Sequence, residues 1–413
     1  MTTPLYDALA AYAERLHAGI GDGHHVASPL GAWLLLALCA SAGGGPAGDE
    51  LAEVLGMPAG DAASAAAALL EHPHPLVSSA TAVWHAPDRD TDGLRDWQAG
   101  LPPSTTVGLL PAQEAADAWA REHTGGLIGS FPLAVTPEVA VLLASALATR
   151  VSWAQPFEVA AAAALGPDSA WAAGLTRMLR SPEEGHVSFI AATDRAGDVV
   201  VHIAEADCAD RDLYARTKVL VISVAAAPGV EAGDVLAAAY AIGRGAADDV
   251  ELGRRSLYDL PLGDSGLWSI REEAVLTDLS HEERYTAVLP CWSAESDHDL
   301  TGPGLGFTTA ARILAEALPV SGRACDARQV AMARYGRYGF EAAAVSGFAV
   351  LESMPSEGVA RIAELRFGHP YAVLAVTVDI RDGDRGRELG PWHGVPVFSA
   401  WVSRPEDLPA ADA

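Results

Sequence analysis

The chain has 413 residues, half of them hydrophobic and 20% charged, a composition that can bury a large core and argues against disorder. Its 27 basic against 54 acidic residues give a formal charge of −27, which speaks against nucleic acid, anionic membrane and heparin-like polyanions as partners. No low-complexity linker divides the sequence, so residues 1–413 read as a single domain.

The opening segment Met1-Thr2-Thr3-Pro4-Leu5-Tyr6-Asp7 has no basic region leading into an apolar core, so it is not read as a signal peptide. The longest apolar run, Trp33 to Ala40, is too short to cross a bilayer. A cytoplasmic monomer is expected. Leu5, Leu9, Tyr12 and Leu16 recur at helical spacing and predict a helix over 4–18, stopped by glycines 19–23. His24-His25-Val26-Ala27-Ser28-Pro29-Leu30 then leads into an apolar helix through Ala40. Gly43-Gly44-Gly45-Pro46 break it, and Asp49 to Leu55 form a further short helix. A helix over 114–123 ends in Trp119-Ala120-Arg121-Glu122-His123-Thr124-Gly125-Gly126-Leu127-Ile128. Val139 to Val151 is apolar with strand character at its end, followed by Trp153-Ala154-Gln155-Pro156-Phe157.

Residues 175–290 read mostly as strands and hairpins, with Val199–Ala204 and Val219–Ala225 the clearest, and a helix near 231–242. Tyr285-Thr286-Ala287-Val288-Leu289-Pro290-Cys291-Trp292 closes that region. The stretch Gly339-Phe340-Glu341-Ala342-Ala343-Ala344-Val345-Ser346 is rich in small residues and free of proline, so nothing in it forbids strand pairing. Phe348 to Glu364, with Pro355 and Gly358, suits an exposed connection. Ala372 to Val378 is a strongly apolar run, and Gly394 to Pro405 closes the chain as a strand.

Taken in order, these segments resemble the serpin family. Ser28-Pro29-Leu30 and Leu55-Gly56 match the start of its buried helix and the end of the short helix after it. Trp119, Thr124, Gly126 and Ile128 match Asn-x-Trp-Val-x-x-x-Thr-x-Gly-x-Ile, with Asp117 in place of the asparagine. Trp153 to Phe157 matches Trp-x-x-Pro-Phe, Val288-Leu289-Pro290 matches the strand ending in Leu-Pro-Lys-Phe, and Val397-Phe398 to Pro405 matches the closing strand. The fold implied is α+β: a large central mixed sheet, two smaller sheets, eight or nine helices and an exposed reactive-centre loop. The resemblance assigns the hinge and loop to residues 336–369.

An inhibitory member of that family offers its loop as bait. A serine protease (or a cysteine protease) cleaves it, and the freed loop inserts as a new strand before the acyl-enzyme is hydrolysed, with strain in the native state as the drive. The inhibitor supplies no catalytic residue and needs no cofactor or metal. The resemblance makes Gly339 the fifteenth residue before the scissile bond and Glu341 the thirteenth, with Ala342, Ala343, Ala344, Val345 and Ser346 beginning the inserting run. Counting forward puts the bond at Ser353–Met354. Counting back from His369-Pro370 puts it near Val359–Ala360, because the loop is longer than usual. Leu351 and Met354 suit a chymotrypsin- or elastase-like target. Residues expected to govern sheet opening are Ser28, Ser145, Trp153, Cys291 and Gln329.

Several positions depart from the pattern. Phe340 stands where inhibitors carry threonine or serine, and overpacking there would cost roughly 1–3 kcal/mol on insertion. Arg337 replaces the hinge glutamate and Cys291 the lysine that pairs with it. Gly31, Ser145 and Gln329 replace a serine, an asparagine and a histidine in the polar cluster beneath the sheet. These changes leave two further readings beside the inhibitor: a non-inhibitory protein of this fold that binds a small molecule or a protein, and a fold recruited as an enzyme in a bacterial biosynthetic pathway.

Other constellations read as structure. Gly263-Asp264-Ser265-Gly266 spells a protease nucleophile motif but has no matching histidine segment, and reads as a polar turn. His24-His25 and Asp297-His298-Asp299 read as solvated loop residues, and Glu282-Glu283 as a solvated turn. Cys39, Cys208, Cys291 and Cys325 are scattered and read as free thiols.

Overall fold

The computed structural model describes residues 3–149, 151–207, 217–277, 281–317, 325–340, 356–383 and 386–412. Helix α1 (Thr3–Ile20) buries Leu9, Tyr12 and Leu16, as their spacing predicts, and stops at Gly21. Strand β1 (His25–Ala27) precedes α2 (Pro29–Ala40), which is buried almost all round and is therefore a core helix. Its start is fixed by Pro29 and by the Ser28 hydroxyl, which accepts from the Gly31 N–H. Helix α3 (Gly45–Leu55) ends at Gly56, whose φ of +72° and close approach to Ala8 leave no room for a side chain. Helix α4 (Ala59–Glu71) completes this bundle.

Along the chain follow β2 (Ser78–His85), α5 (Asp92–Ala99), β3 (Thr106–Leu109), α6 (Gln113–His123), β4 (Val141–Ala148), β5 (Val151–Ser152), β6 (Glu158–Ala161), β7 (Arg177–Arg180), β8 (His186–Thr193), β9 (Gly197–Asp207) and β10 (Thr217–Ala225). Then come α7 (Ala232–Ala246), β11 (Gly263–Asp264), β12 (Trp268–Thr277), β13 (Glu282–Leu289), β14 (Trp292–Asp299) and α8 (Phe307–Ala317). The last elements are β15 (Arg328–Tyr335), β16 (Gly339–Phe340), β17 (Ser356–Arg366), β18 (Tyr371–Gly383), β19 (Gly386–Leu389) and β20 (Pro396–Val402). The described residues thus hold eight α-helices, and none is long and apolar enough to cross a membrane.

The backbone of the core is the sheet β1-β20-β18-β10-β9-β8, with β19 hairpinned onto β18. Side chains alternate between its faces. Val219 and Val221 join the main core with α2, while Leu220, Ile222 and Val224 pack on the other face with α7. A second sheet has the order β11-β12-β17-β13-β7-β6.

The remaining strands form two arms. One is β3-β2-β4, mixed because β2 runs parallel to β3 and antiparallel to β4; the other is the antiparallel pair β14-β15. Along β4, Leu142 and Ala144 face the α6 side with Trp84 and Ala120, while Leu147 faces the main core.

One sequence expectation is corrected here. Residues 356–366, assigned to the exposed loop, are a strand paired with β12 from Ser356 to Leu365, with Gly358 opposite Val275, and also with β13 from Ala360 to Arg366. The ladder to β12, continued by pairing on both sides from Ala360 onward, outweighs the weak strand preference of a glycine. Val359 therefore lies within β17, opposite Ala274, and not in an extended loop offered to a protease.

Candidate functional site

The two arms face each other across a slot. Among the described residues, β4 and β15 are not laddered to one another; only β16 enters between the arms, at one end, paired antiparallel to β5 with Gly339 opposite Ser152 and Phe340 opposite Val151. Helix α2 and strands β18 and β20 line one side of the slot, and α6 with the turn after it lines the other. Two unpaired strand edges facing one another are a template for an added strand.

Both arms are tied to the start of α2. The Gln329 side chain on β15 meets Ser28 with both ends of its amide: Oε1 accepts from the Ser28 N–H at 2.9 Å and Nε2 donates to the Ser28 carbonyl at 2.8 Å. On β4, the Ser145 hydroxyl donates to the Gly31 carbonyl at 2.9 Å. The Ser28 hydroxyl donates in turn to Val397 of β20 at 2.9 Å. The structure thus brings Ser28, Ser145 and Gln329 together as a satisfied cluster. The glutamine of this chain does the tethering with two bonds, and Gly31 makes room, since a Cβ there would lie 3.2 Å from Leu147 Cδ1. Gln329→Ala strands the Ser28 N–H and C=O together, and is expected to lower the unfolding free energy by about 2 kcal/mol, read by urea denaturation.

Trp153, Arg337, Gly339 and Cys291 lie at the other end, where β16 enters. Trp153 donates from Nε1 to the Gly336 carbonyl at 2.9 Å and from its backbone N–H to Tyr338 at 3.1 Å. Phe157 and Arg337 bind reciprocally: the Phe157 N–H donates to the Arg337 carbonyl at 3.0 Å, and Arg337 Nε donates to the Phe157 carbonyl at 3.1 Å. The guanidinium also lies 5.1 Å from the Tyr338 ring. Gly339 has φ of +134°, and a Cβ on it would run into the Val151 carbonyl, so only glycine fits.

Arg337 and Cys291 form no ion pair, as their identities require. Each holds the C-terminal tail instead: Arg337 Nη1 donates to the Asp412 carbonyl at 2.6 Å, and the Cys291 carbonyl accepts from the Glu406 N–H at 2.7 Å. Cys291, Cys39 and Cys325 are free, and burial pushes the Cys291 thiol up to about 12. Glu341, Ala342, Ala343, Ala344, Val345, Ser346, Leu351, Ser353 and Met354 lie outside the described residues.

Two histidine pairs escaped sequence reasoning. Beside Phe157, His186 Nδ1 and His202 Nε2 are 3.0 Å apart, with His186 Nε2 2.8 Å from the Gln155 carbonyl. Their rings lie 4.6 and 5.3 Å from Phe157. Burial lowers His186 to about 4; burial and then His186 hold His202 well below the usual histidine value.

The second pair corrects the reading of His24-His25 and of Asp297-His298-Asp299 as solvated loops. His25 and His298 are buried on strands: His25 leads the buried β1 with Val26 and Ala27, and on β14 alternation turns His298 inward between the exposed Asp297 and Asp299. His17 Nδ1 is 2.7 Å from His25 Nε2, His17 Nε2 is 2.6 Å from the Ser399 hydroxyl, and the Tyr240 hydroxyl donates to Ser399 at 3.1 Å. Burial, then His25 and His298, lowers His17 to about 3; burial lowers His25 to about 4. Ser399 is only 1% exposed, so this serine–histidine chain is sealed from substrate and satisfies buried polar groups. A lone histidine in an apolar strand carries no sequence signal of its partner.

The sequence matches no protein-family model and no curated protein. Solved structures match over nearly the whole length. Human thyroxine-binding globulin complexed with thyroxine superposes with a TM-score of 0.60 at 13% identity, over 97% of this chain and 98% of that one. The native stressed conformation of AtSerpin1 from Arabidopsis gives 0.60 at 14%, over 97% and 98%. The thermophilic serpin Tengpin in its native state gives 0.62 at 10%, over 97% and 93%. Matches of this length to several serpins, together with the mixed helices and sheets described above, show that the chain has the serpin fold.

Proposed function

We propose that the chain is a suicide-substrate inhibitor of a serine protease of chymotrypsin or elastase type. The observation that carries this is the slot between β4 and β15 with β16 already paired at its entrance. Continued without a break, the register of β16 on β5 would place Val350 opposite Val141, the first residue of β4, at the far end of the slot. Ser346 would then stand opposite Ser145, on the face of the α2 cluster, together with Phe340, Ala342 and Ala344. The backbone of Phe340 is already in a ladder, which supports entry of the hinge despite its size.

A slot filled to Val350 leaves residues 351–355 between it and β17. The cut that frees the inserting part belongs there, and Leu351, Ser353 and Met354 fall in that stretch. The protease's serine attacks the carbonyl at the cut, the amine of the next residue departs, and the acyl-enzyme stays attached to the inserting half.

The test is incubation with chymotrypsin-, elastase- and trypsin-like enzymes followed by denaturing electrophoresis. A covalent complex with one of the first two is expected, with the released fragment beginning between residues 352 and 356. Complete cleavage by each enzyme without a complex overturns the reading.

A second reading has one observation of its own. Between α1 and α7 lies a groove of about 450 Å³, lined by Tyr6, His17 and Tyr240 and rimmed by the Arg195–Glu14 and Arg244–Asp7 ion pairs. Its size suits a small apolar ligand with a polar end. A chain that is cut without trapping a protease would be read as a carrier using this groove.

A further inference from the structure

Glu283, expected on a solvated turn, is part-buried on β13, but its carboxylate is matched: it accepts from the Ser256 hydroxyl at 2.5 Å and the Leu257 N–H at 2.8 Å. The pair His186–His202 is matched only while it holds two protons. His186 opens β8 and is partly buried; His202, on β9 opposite Ser188 and Ser223, is wholly buried. The Gln155 carbonyl only accepts, so the neutral His186 carries its proton on Nε2 and leaves Nδ1 bare. His202 must then donate to that Nδ1 from Nε2, and its own Nδ1 is bare, buried and without a hydrogen-bond partner. A third proton finds no place. On His186 Nδ1 it would face the His202 N–H across 3.0 Å, and shifting the latter to Nδ1 leaves a buried donor without an acceptor.

The two rings hold the segment Trp153–Phe157. On one side the segment is tied to the sheet, by the Ala154 N–H to the Glu205 carbonyl at 2.8 Å and by His186 to Gln155. On the other it is tied to residues 336–338 by the four bonds of Trp153, Phe157 and Arg337 given above. Gly185 permits the close approach to Gln155: its φ is +84°, and a Cβ there would lie 2.5 Å from Gln155 Cγ. Phe157, 1% exposed, sits among the two imidazoles and the rings of Trp153 at 6.0 Å and Tyr335 at 5.7 Å.

Among the described residues, neither imidazole is bonded to a charged group. On β9, Glu205 is held by Lys218 of β10 at 2.6 Å. Glu158 on β6 and Glu183 and Glu184 ahead of β8 are exposed. Arg337 is engaged with Phe157 and Asp412, and β15 and β10 present the uncharged Tyr335 and Ser223. An imidazolium here would lack a counter-charge, and burying one unpaired is costly. The relief open to it is rotation of the partly exposed His186 toward water, which breaks the Gln155 bond and uncovers one face of Phe157.

We propose that His186 and His202 are an acid latch on the base of the loop: while they share two protons they hold Trp153–Phe157, and through it residues 336–340, against the sheet, and a third proton frees that end while the sheets stay folded. Burial supports the range in which the latch acts, since His186 is lowered to about 4 and His202 is held well below the usual value. The latch does not depend on what the slot receives. If the loop enters as proposed above, entry from this end becomes pH-dependent.

The experiment is amide hydrogen exchange of the whole chain at pH 7 and pH 4, corrected for the intrinsic pH dependence of exchange. The Trp153 and Phe157 amides, which donate to Tyr338 and Arg337, report the contact, and the β10 amides are the reference. In the wild type the reporters are expected to lose protection roughly tenfold more than β10 between the two pH values. In His186→Gln, which keeps a donor for Gln155 but cannot be charged, and in His202→Gln, they are expected to move with β10. Reporters that keep step with β10 in the wild type overturn the latch, and so does an equal loss in wild type and variants. Should either variant fail to fold, the other and the wild-type profile decide by the same criteria, and none of these outcomes turns on whether a protease is trapped.

Discussion

Cut once between residues 351 and 355, the protein is expected to melt roughly 10 °C or more above the uncut chain. The argument begins with the free edges of β4 and β15. A strand entering between them completes backbone bonds on both sides, where the described part of the uncut chain completes them only at Gly339 and Phe340. Each such bond contributes about 1 kcal/mol net, against a backbone ordering cost of about 1–2 kcal/mol per residue. Backbone bonding alone therefore nearly cancels. The surplus comes from apolar surface: Val345, Phe348 and Val350 would move into a slot lined by Leu143, Leu147, Ala331 and Phe398. A surplus of several kcal/mol is enough, since each kcal/mol moves the midpoint by about 2 °C in large domains. Calorimetry of the cut and uncut protein reads the effect. An unchanged midpoint would mean that the freed segment stays outside.

The second large effect is loss of stability in mild acid. His17, His25, His186 and His202 are held neutral in the fold, at about 3 and 4 for the first two, about 4 for His186, and well below the usual value for His202, chiefly by burial. Unfolded, each returns to about 6.5. The unfolded chain therefore binds more protons below pH 6.5, so the stabilisation is complete above that pH and is lost as pH falls toward 4. His25 and His186 each contribute up to roughly 3 kcal/mol across this window. Relief of repulsion among the acidic residues, from a charge of −27, acts in the opposite direction. High salt screens that repulsion but hardly touches buried imidazoles, so the acid loss is expected to be steeper at high ionic strength. Urea unfolding at pH 7, 6 and 5 with and without salt decides it; a flat profile at high salt would refute the assignment. His186 and His202 embrace Phe157, which holds Arg337, so the hinge end is expected to loosen first.

How much of this was legible depended on how local each signal was. Ser28-Pro29 announces the start of α2 because a cap acts within three residues. Leu9, Tyr12 and Leu16 announce α1 by period alone. Trp153 to Phe157 and Gly339 stood out through family resemblance, and the structure supplies the reason in the hydrogen bonds of Trp153 and the tight space at Gly339. What stayed hidden was non-local. Gln329 reads as a substituted histidine until Ser28 is placed beside both ends of its amide. Residues 268–277 lie in a region read mostly as strands and hairpins, but they run Trp-Ser-Ile-Arg-Glu-Glu-Ala-Val-Leu-Thr without clean alternation, and nothing in them points to β17 as their partner. Gly358 suggested a loop for the same reason: its pairing with Val275 on β12 was not visible from the residue itself. The histidine pairs join residues far apart in sequence, His17 with Ser399 most of all.

The grip of Arg337 on Asp412, and of Cys291 on Glu406, has a practical consequence. The last described residues are a rest on which the base of the loop leans. Anything fused behind Asp412, such as a purification handle or a reporter domain, would load that rest directly, whereas the same fusion ahead of α1 would sit against the helix bundle. Reactivity toward a protease would then vary with the end chosen for the fusion, even though no residue of the loop had been altered.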